Sequence, residues 1–246
     1  ICAVIAFVPF FRGRALLRFC RPAFTGRMIR QIVACGSPNF LNNIAGRITS
    51  IFMNAILVRM GGETAVSVFG VLMFAEGFIQ PFLYGMCDSL QPAVGYNWGA
   101  QKFSRVRAIE KYCYIASSVV SLLAVFVIVL IPAQITSLFV ADASEQTMRM
   151  SISALQLFSL TYITRWFSFA TQSYMLAIEK PVPASILSVS TALVFPAILV
   201  GILWPLGLTG IWLNFAATSV LAAALSLFIL LKLRSQLNQP DAVTEP

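Results

Sequence analysis

Four ionisable residues, Arg47, Glu76, Asp88 and Arg165, stand inside long apolar runs. A charge near the centre of a bilayer costs at least about 2.5 kcal/mol, so such residues turn toward a protein interior or a watery cavity and find partners there. Arg47 lies fourteen residues before Gly61, and Glu76 fourteen after Gly62. If Gly61-Gly62 closes an antiparallel hairpin, the two sit at one height, which predicts an ion pair or a shared polar network. Retention for function and mere fixing of helix register both account for such a pair. Asp88 follows Glu76 by twelve residues, about 18 Å along a helix, with Pro81 between them expected to bend it. It reads either as a proton-binding carboxylate or, more simply, as a helix-end acid near the aqueous boundary. Arg165, midway along the fourth apolar run, reads equally as a substrate-cavity residue or as a structural partner for a carbonyl or carboxylate in an absent other half of the protein.

Much other chemistry is missing. The chain has no histidine, and its five cysteines show no CxxC spacing. Histidine-based zinc sites, histidine-ligated haem and Ser-His-Asp catalysis are thereby excluded. There is no HExxH, no GxSxG and no cluster of acids at metal-ligand spacing. No enzyme, metal or cofactor is expected. Cys2, Cys35, Cys87 and Cys113 lie in or beside apolar segments, where a thiol acts as a small hydrophobe; Cys20 lies in a basic loop, and no disulfide is expected. A purely structural membrane subunit would leave the four buried charges without a purpose. The many aromatic residues suit either lipid contact or stacking on organic cations. Tyr162, Trp166 and Tyr174, on the relatively polar fourth run, are the cavity candidates. Trp98, Trp204 and Trp212 lie near run ends and read as interfacial belt residues.

The elements that must position these groups follow from composition. Hydrophobic residues make up 59% of the 246 and charged residues 11%, and the mean hydropathy is +0.84. That is too little charge for a water-facing surface, where about a quarter is usual. The formal net charge of +8 is not gathered on a soluble face, so nucleic acid is not an expected partner. Six segments are long and apolar enough to span a bilayer: Ile32–Met60, Ala65–Trp98, Ile109–Pro132, Met148–Ile178, Pro183–Trp204 and Leu208–Leu231. Residues 1–11 read as the tail of a truncated transmembrane helix, 12–31 as a cytoplasmic basic loop, 32–234 as a six-helix lobe and 235–246 as a cytoplasmic tail. The fold class is all-α membrane protein.

Orientation comes from the loops. Arg12, Arg14, Arg18, Arg21, Arg27 and Arg30 form one group, followed by Lys102, Arg105, Arg107 and Lys111, then Lys180, then Lys232 and Arg234. The alternate loops carry Arg59 and Arg149 beside Glu63, Asp142 and Glu145. Positive residues favour the cytoplasm, which puts the C-terminus there. The arginine run also suits anionic lipid headgroups, but a topology determinant is the simpler reading.

The stretch Gln91-Pro92-Ala93-Val94-Gly95-Tyr96-Asn97-Trp98-Gly99-Ala100, followed by Lys102 and Arg105, resembles the signature of the MATE (multidrug and toxic compound extrusion) transporters. Gly36-Ser37-Pro38-Asn39-Phe40, and Met60-Gly61-Gly62 leading to Gly70 and Pro81, follow the same pattern. Gly95 and Gly99 are spaced for close helix contact, so this is packing chemistry more than binding chemistry.

The resemblance implies the C-terminal lobe of a twelve-helix transporter, with an N-terminal lobe as partner. It further implies export of cationic or amphipathic compounds, driven by protons or sodium, across a bacterial inner membrane. In the sodium-coupled branch, acids on the lobe's first and fourth helices help bind the cation. Here those runs offer Asn39, Asn42, Asn43, Asn54, Gln156, Thr161 and Thr164 but no acid, so coupling is expected at Glu76, with Arg47 as partner and Asp88 second, or in the other lobe. Asn39, Asn42, Asn43, Gln156, Tyr162 and Arg165 are the expected cavity residues. The alternative is a lipid-linked oligosaccharide flippase of the same superfamily, since Arg47 and Arg165 would suit an anionic lipid phosphate.

Overall fold

The computed structural model of the chain describes residues 25–140 and 144–237. The expected helix tail 1–11, the loop arginines Arg12, Arg14, Arg18 and Arg21, Cys2, Cys20, Asp142 and the tail beyond Leu237 lie outside the described residues. By its packing the chain divides into Ile1–Val33 and Ala34–Pro246. The few described residues of the first unit are helical, and the second unit carries everything that follows. Among the described residues every regular element is a helix.

One helical stretch, Gly26–Asp88, is interrupted where Gly62 takes φ 59° and ψ −151°. A side chain rarely tolerates that backbone, so glycine is what permits the reversal. The stretch is therefore two helices, α1 (26–61) and α2 (63–88). Asn42 Nδ2 donates to the Tyr84 hydroxyl at 3.1 Å, joining positions some twenty residues either side of the break, so α1 and α2 form the expected antiparallel hairpin. Helix α1 starts at Gly26, so 26–31, expected as loop, is helical, with Arg27 and Arg30 exposed on it.

Helix α2 continues unbroken through Pro81. The interruption comes instead at Ser89, after which α3 (Leu90–Gly99) carries the signature residues. A tight turn, Ala100–Lys102, leads into α4 (Phe103–Leu130) and the short α5 (Pro132–Phe139). Helices α6 (Glu145–Ser159) and α7 (Thr161–Ala177) follow, joined through Leu160 in helical conformation. Together they form the fourth expected span. Its hydropathy is the lowest because it faces protein, with Ser168 to Met175 buried without a break.

The fifth span is composite: α8 (Pro181–Val189), a π-helical turn Ser190–Val194, and α9 (Phe195–Leu203). Pro196 explains the π turn. Lacking an N–H, it cannot bond the Ala192 carbonyl four residues back, while Phe195 N–H reaches Ser190 instead. Thr49 Oγ1 of α1 satisfies the Ala192 carbonyl at 2.5 Å. A 3₁₀ turn, Trp204–Leu206, and Gly207 at φ 60° then reverse the chain into α10 (Gly207–Leu237).

Three helical stretches are long and apolar enough to cross a membrane: Gly26–Gly99, Phe103–Leu130 and Pro181–Leu233. Gly62 folds the first and Gly207 the last back on themselves; α6 and α7, the fourth expected span, are not among these stretches. The molecule is an all-α membrane protein.

The two ends of the bundle differ. A Cβ placed on Gly61 would lie 2.9 Å from a Leu208 methyl, so the α1–α2 and α9–α10 turns share one end. A Cβ on Gly95 would lie 3.6 Å from the Ala177 carbonyl, so α3 and α7 end together at the other, beside Lys102 and Lys180. Nothing approaches Gly99 in the same way, so only half of the Gly95/Gly99 pair makes the expected close contact.

Candidate functional site

Helices α1, α2, α7, α9 and α10 enclose a cavity of about 480 Å³, a size suited to one drug-like molecule. The wall from α1 repeats at helical spacing, Asn42, Gly46, Thr49 and Met53 beside Asn43, Arg47 and Ser50. The wall from α2 is a stripe four residues apart: Glu76, Gln80, Tyr84. Arg165, Ser168 and Phe169 come from α7, and Asn214, Phe215, Thr218 and Ser219 from α10.

The central contact is an ion pair. Arg165 Nη2 lies 2.6 Å from Glu76 Oε1, and the two side chains are 17% and 14% exposed. Glu76 is thus paired with Arg165 and not with Arg47. Counting residues from the turn placed Arg47 and Glu76 at one height, and both do line this cavity. Equal height is not equal azimuth, however: each residue turns a helix by 100°, and α7 brings Arg165 to the carboxylate. Arg47 is exposed on the cavity wall, with no ionic or hydrogen-bonded partner among the described residues.

An aromatic platform adjoins the pair. The Arg165 guanidinium lies 5.2 Å from the centre of the Phe169 ring, close enough for a cation–π contact. Phe169 stacks on Tyr84 with ring centres 4.3 Å apart. Tyr84 in turn accepts from Asn42. One continuous set of contacts therefore links α1, α2 and α7 from Asn42 to Glu76.

The remaining expected residues divide. Asn42 and Asn43 line the cavity. Asn39 lies just off it, its Oδ1 accepting from Gln172 Nε2 at 3.4 Å and its carbonyl from Asn43 at 2.8 Å. Gln156 is exposed on α6, away from the cavity, because the polar face of that helix is not the face the bundle encloses. Tyr162 and Tyr174 are not cavity residues either. They are among the largest fully buried side chains, Tyr162 packing edge-on against Phe158 with no partner for its hydroxyl among the described residues. Its carbonyl accepts from Ser121. Trp166 faces Tyr114 and Phe167 instead of the cavity. Trp212, expected in an interfacial belt, is 3% exposed and belongs to the core.

Asp88 ends α2, exposed, its Oδ1 accepting from Gln91 at 2.9 Å and Ser173 at 2.5 Å. That is the arrangement of a helix-end acid tying α2, α3 and α7 together. Cys35, Cys87 and Cys113 are free thiols. No cluster of metal-ligating side chains occurs among the described residues.

Sequence reasoning missed Gln80, Tyr84, Phe169, Thr49 and Asn214. Gln80 and Tyr84 carried a usable signal, since they continue the face of Glu76 at i+4 and i+8. Asn214 stood as an isolated amide in an apolar run; it now donates to the Pro196 carbonyl at 3.0 Å. Phe169 carried none, being one phenylalanine among twenty.

The family model MatE matches residues 38–202. Multidrug export protein MepA of Staphylococcus aureus (strain MSSA476) is 24% identical over 212 residues, covering 86% of this chain and 46% of the relative. MepA of Staphylococcus saprophyticus is 22% identical over 226 residues, covering 92% and 49%. Among solved structures, one described as the outward-facing conformation of a multidrug resistance MATE family transporter of the MOP superfamily superposes with a TM-score of 0.87. It is 21% identical, over 97% of this chain and 54% of that one. The chain spans about half the length of the curated relatives it matches. The flippase alternative gains no support from these matches.

Proposed function

The chain belongs to the MatE family, whose members are transporters and not enzymes, and from that premise we propose that residues 32–234 form the C-terminal lobe of a cation-coupled efflux antiporter. The lobe works with an N-terminal counterpart in a bacterial inner membrane, its C-terminus in the cytoplasm. The two rock about a shared cavity to alternate access, exporting cationic or amphipathic organic compounds. The export named for the MepA relatives supports this reading.

The observation that carries it is the cavity holding a bridged carboxylate beside an aromatic platform. In a watery cavity Glu76 exchanges a proton for its bond to Arg165. Protonation cancels the carboxylate charge, releases the guanidinium and makes the cavity more positive, which weakens a bound organic cation. Loss of the proton reverses each step. Sodium is the other candidate coupling ion. With no acid on the first or fourth span, it has less to bind here than the proton has at Glu76.

The test is ethidium efflux from cells expressing the lobe together with its counterpart. The wild type is expected to lower cellular ethidium, and Glu76→Gln to abolish energised efflux and to hold ethidium in the purified protein more weakly than the wild type, at a level that no longer varies with pH. Undiminished efflux by Glu76→Gln removes Glu76 from coupling. Failure of the wild type to move any of a panel of amphipathic organic compounds, cationic, zwitterionic and anionic, overturns the efflux reading.

A further inference from the structure

Three charged side chains stand on the cavity wall: Arg47, Glu76 and Arg165. Glu76 and Arg165 neutralise one another at 2.6 Å, so the wall keeps one net positive charge, that of Arg47. Lipid is no place for a guanidinium midway along a spanning helix, and Arg47 is instead turned to the cavity with five donors and no partner among the described residues. Thr161, 1% exposed, brings to the same cavity a hydroxyl without a partner among the described residues. Both features are polar groups prepared for something the cavity receives.

We propose that Arg47 is the anchor for an acidic group, and that the cavity takes amphipathic organic acids or zwitterions, an aromatic body with a carboxylate or sulfonate. A planar guanidinium fork matches such a group bidentately. Asn43, one turn back on the same face, extends the polar wall, and the stacked Tyr84 and Phe169 rings offer an apolar surface for the body of the molecule. A purely cationic compound meets a net positive wall and gains a counter-charge only by taking Glu76 from Arg165. This inference rests on the efflux reading above and narrows its substrate class.

Two xanthene dyes of similar shape and opposite charge test it: fluorescein, an anion, and rhodamine 6G, a cation. Binding to the purified chain with its complementary lobe is followed by fluorescence anisotropy, with a melting curve for each variant. The wild type is expected to bind fluorescein more tightly than rhodamine 6G. Arg47→Gln is expected to weaken fluorescein by about tenfold or more, the scale of one charge-assisted contact, and Arg47→Lys by less, while rhodamine 6G is held as well or better. The inference is overturned if fluorescein ignores Arg47→Gln, or if both dyes weaken equally. It is also overturned if Arg47→Gln no longer folds, for Arg47 then serves an acid elsewhere in the assembled protein. The transporter reading fails separately, when wild-type proteoliposomes move neither dye under a proton or sodium gradient.

Discussion

At the residue scale, the ion pair between Glu76 and Arg165 is the contact whose loss is felt most. Removing one member of a largely buried pair strands the other charge, at a cost of about 3 kcal/mol. Glu76→Gln and Arg165→Gln are each expected to lower the melting temperature in detergent, and the double variant to recover much of the loss. Simple additivity of the two losses would mean that the groups do not interact. Tyr162 gives the opposite expectation. Its hydroxyl is buried without a partner among the described residues, so Tyr162→Phe removes a desolvated group and leaves both melting and transport unchanged or slightly improved. A transport defect in Tyr162→Phe would restore it to the cavity. The sequence made the depth of Glu76 readable because a pair of glycines marks the hairpin and depth is counted from it. It hid the partner, because which residue of a third helix meets the carboxylate depends on helix rotation and on which helices become neighbours.

At the element scale, boundaries were legible where the chemistry is local and obscure where tertiary contacts decide. Gly61-Gly62 and Pro205–Gly207 marked both reversals. Pro81 was expected to bend α2 and does not interrupt it, while Pro196 produces a π turn that hydropathy alone does not reveal. Thr49 serves the carbonyl that Pro196 leaves bare, donating to Ala192 across 143 positions of sequence. Thr49→Val keeps the shape and removes the donor. It is expected to cost about 1–3 kcal/mol by thermal melting, with Thr49→Ser close to wild type. Equal melting of Thr49→Val and the wild type would show that water serves the carbonyl instead. The cavity followed the same rule: the amides of α1 were legible from composition, while Gln156 and Tyr162 were misassigned because a polar or aromatic residue on a span does not report which way it faces.

At the scale of the whole molecule, the passes alternate so that Lys102, Lys180 and Lys232 share one end while Arg59 and Glu63 share the other. We expect a cysteine introduced at Lys180 to react with a membrane-impermeant maleimide only in inverted vesicles, and one at Glu63 only in intact cells, after replacement of the native cysteines. The reverse pattern would turn the molecule over and with it the direction of export. This alternation was legible because charge at loop positions is set by the membrane and not by packing.

At the end opposite the lysines the two turns meet through a single side chain. Gly61 meets Leu208, and a Cβ on Gly210 would fall 2.2 Å from the Leu203 carbonyl. A glycine seated against a leucine methyl, beside a turn folded tightly onto its own backbone, leaves little room to slide, so this end forms a clasp. Any breathing of the lobe must fan outward from that clasp, slight there and widest where α3 and α7 finish, so that the cavity is hinged on one side like a shell.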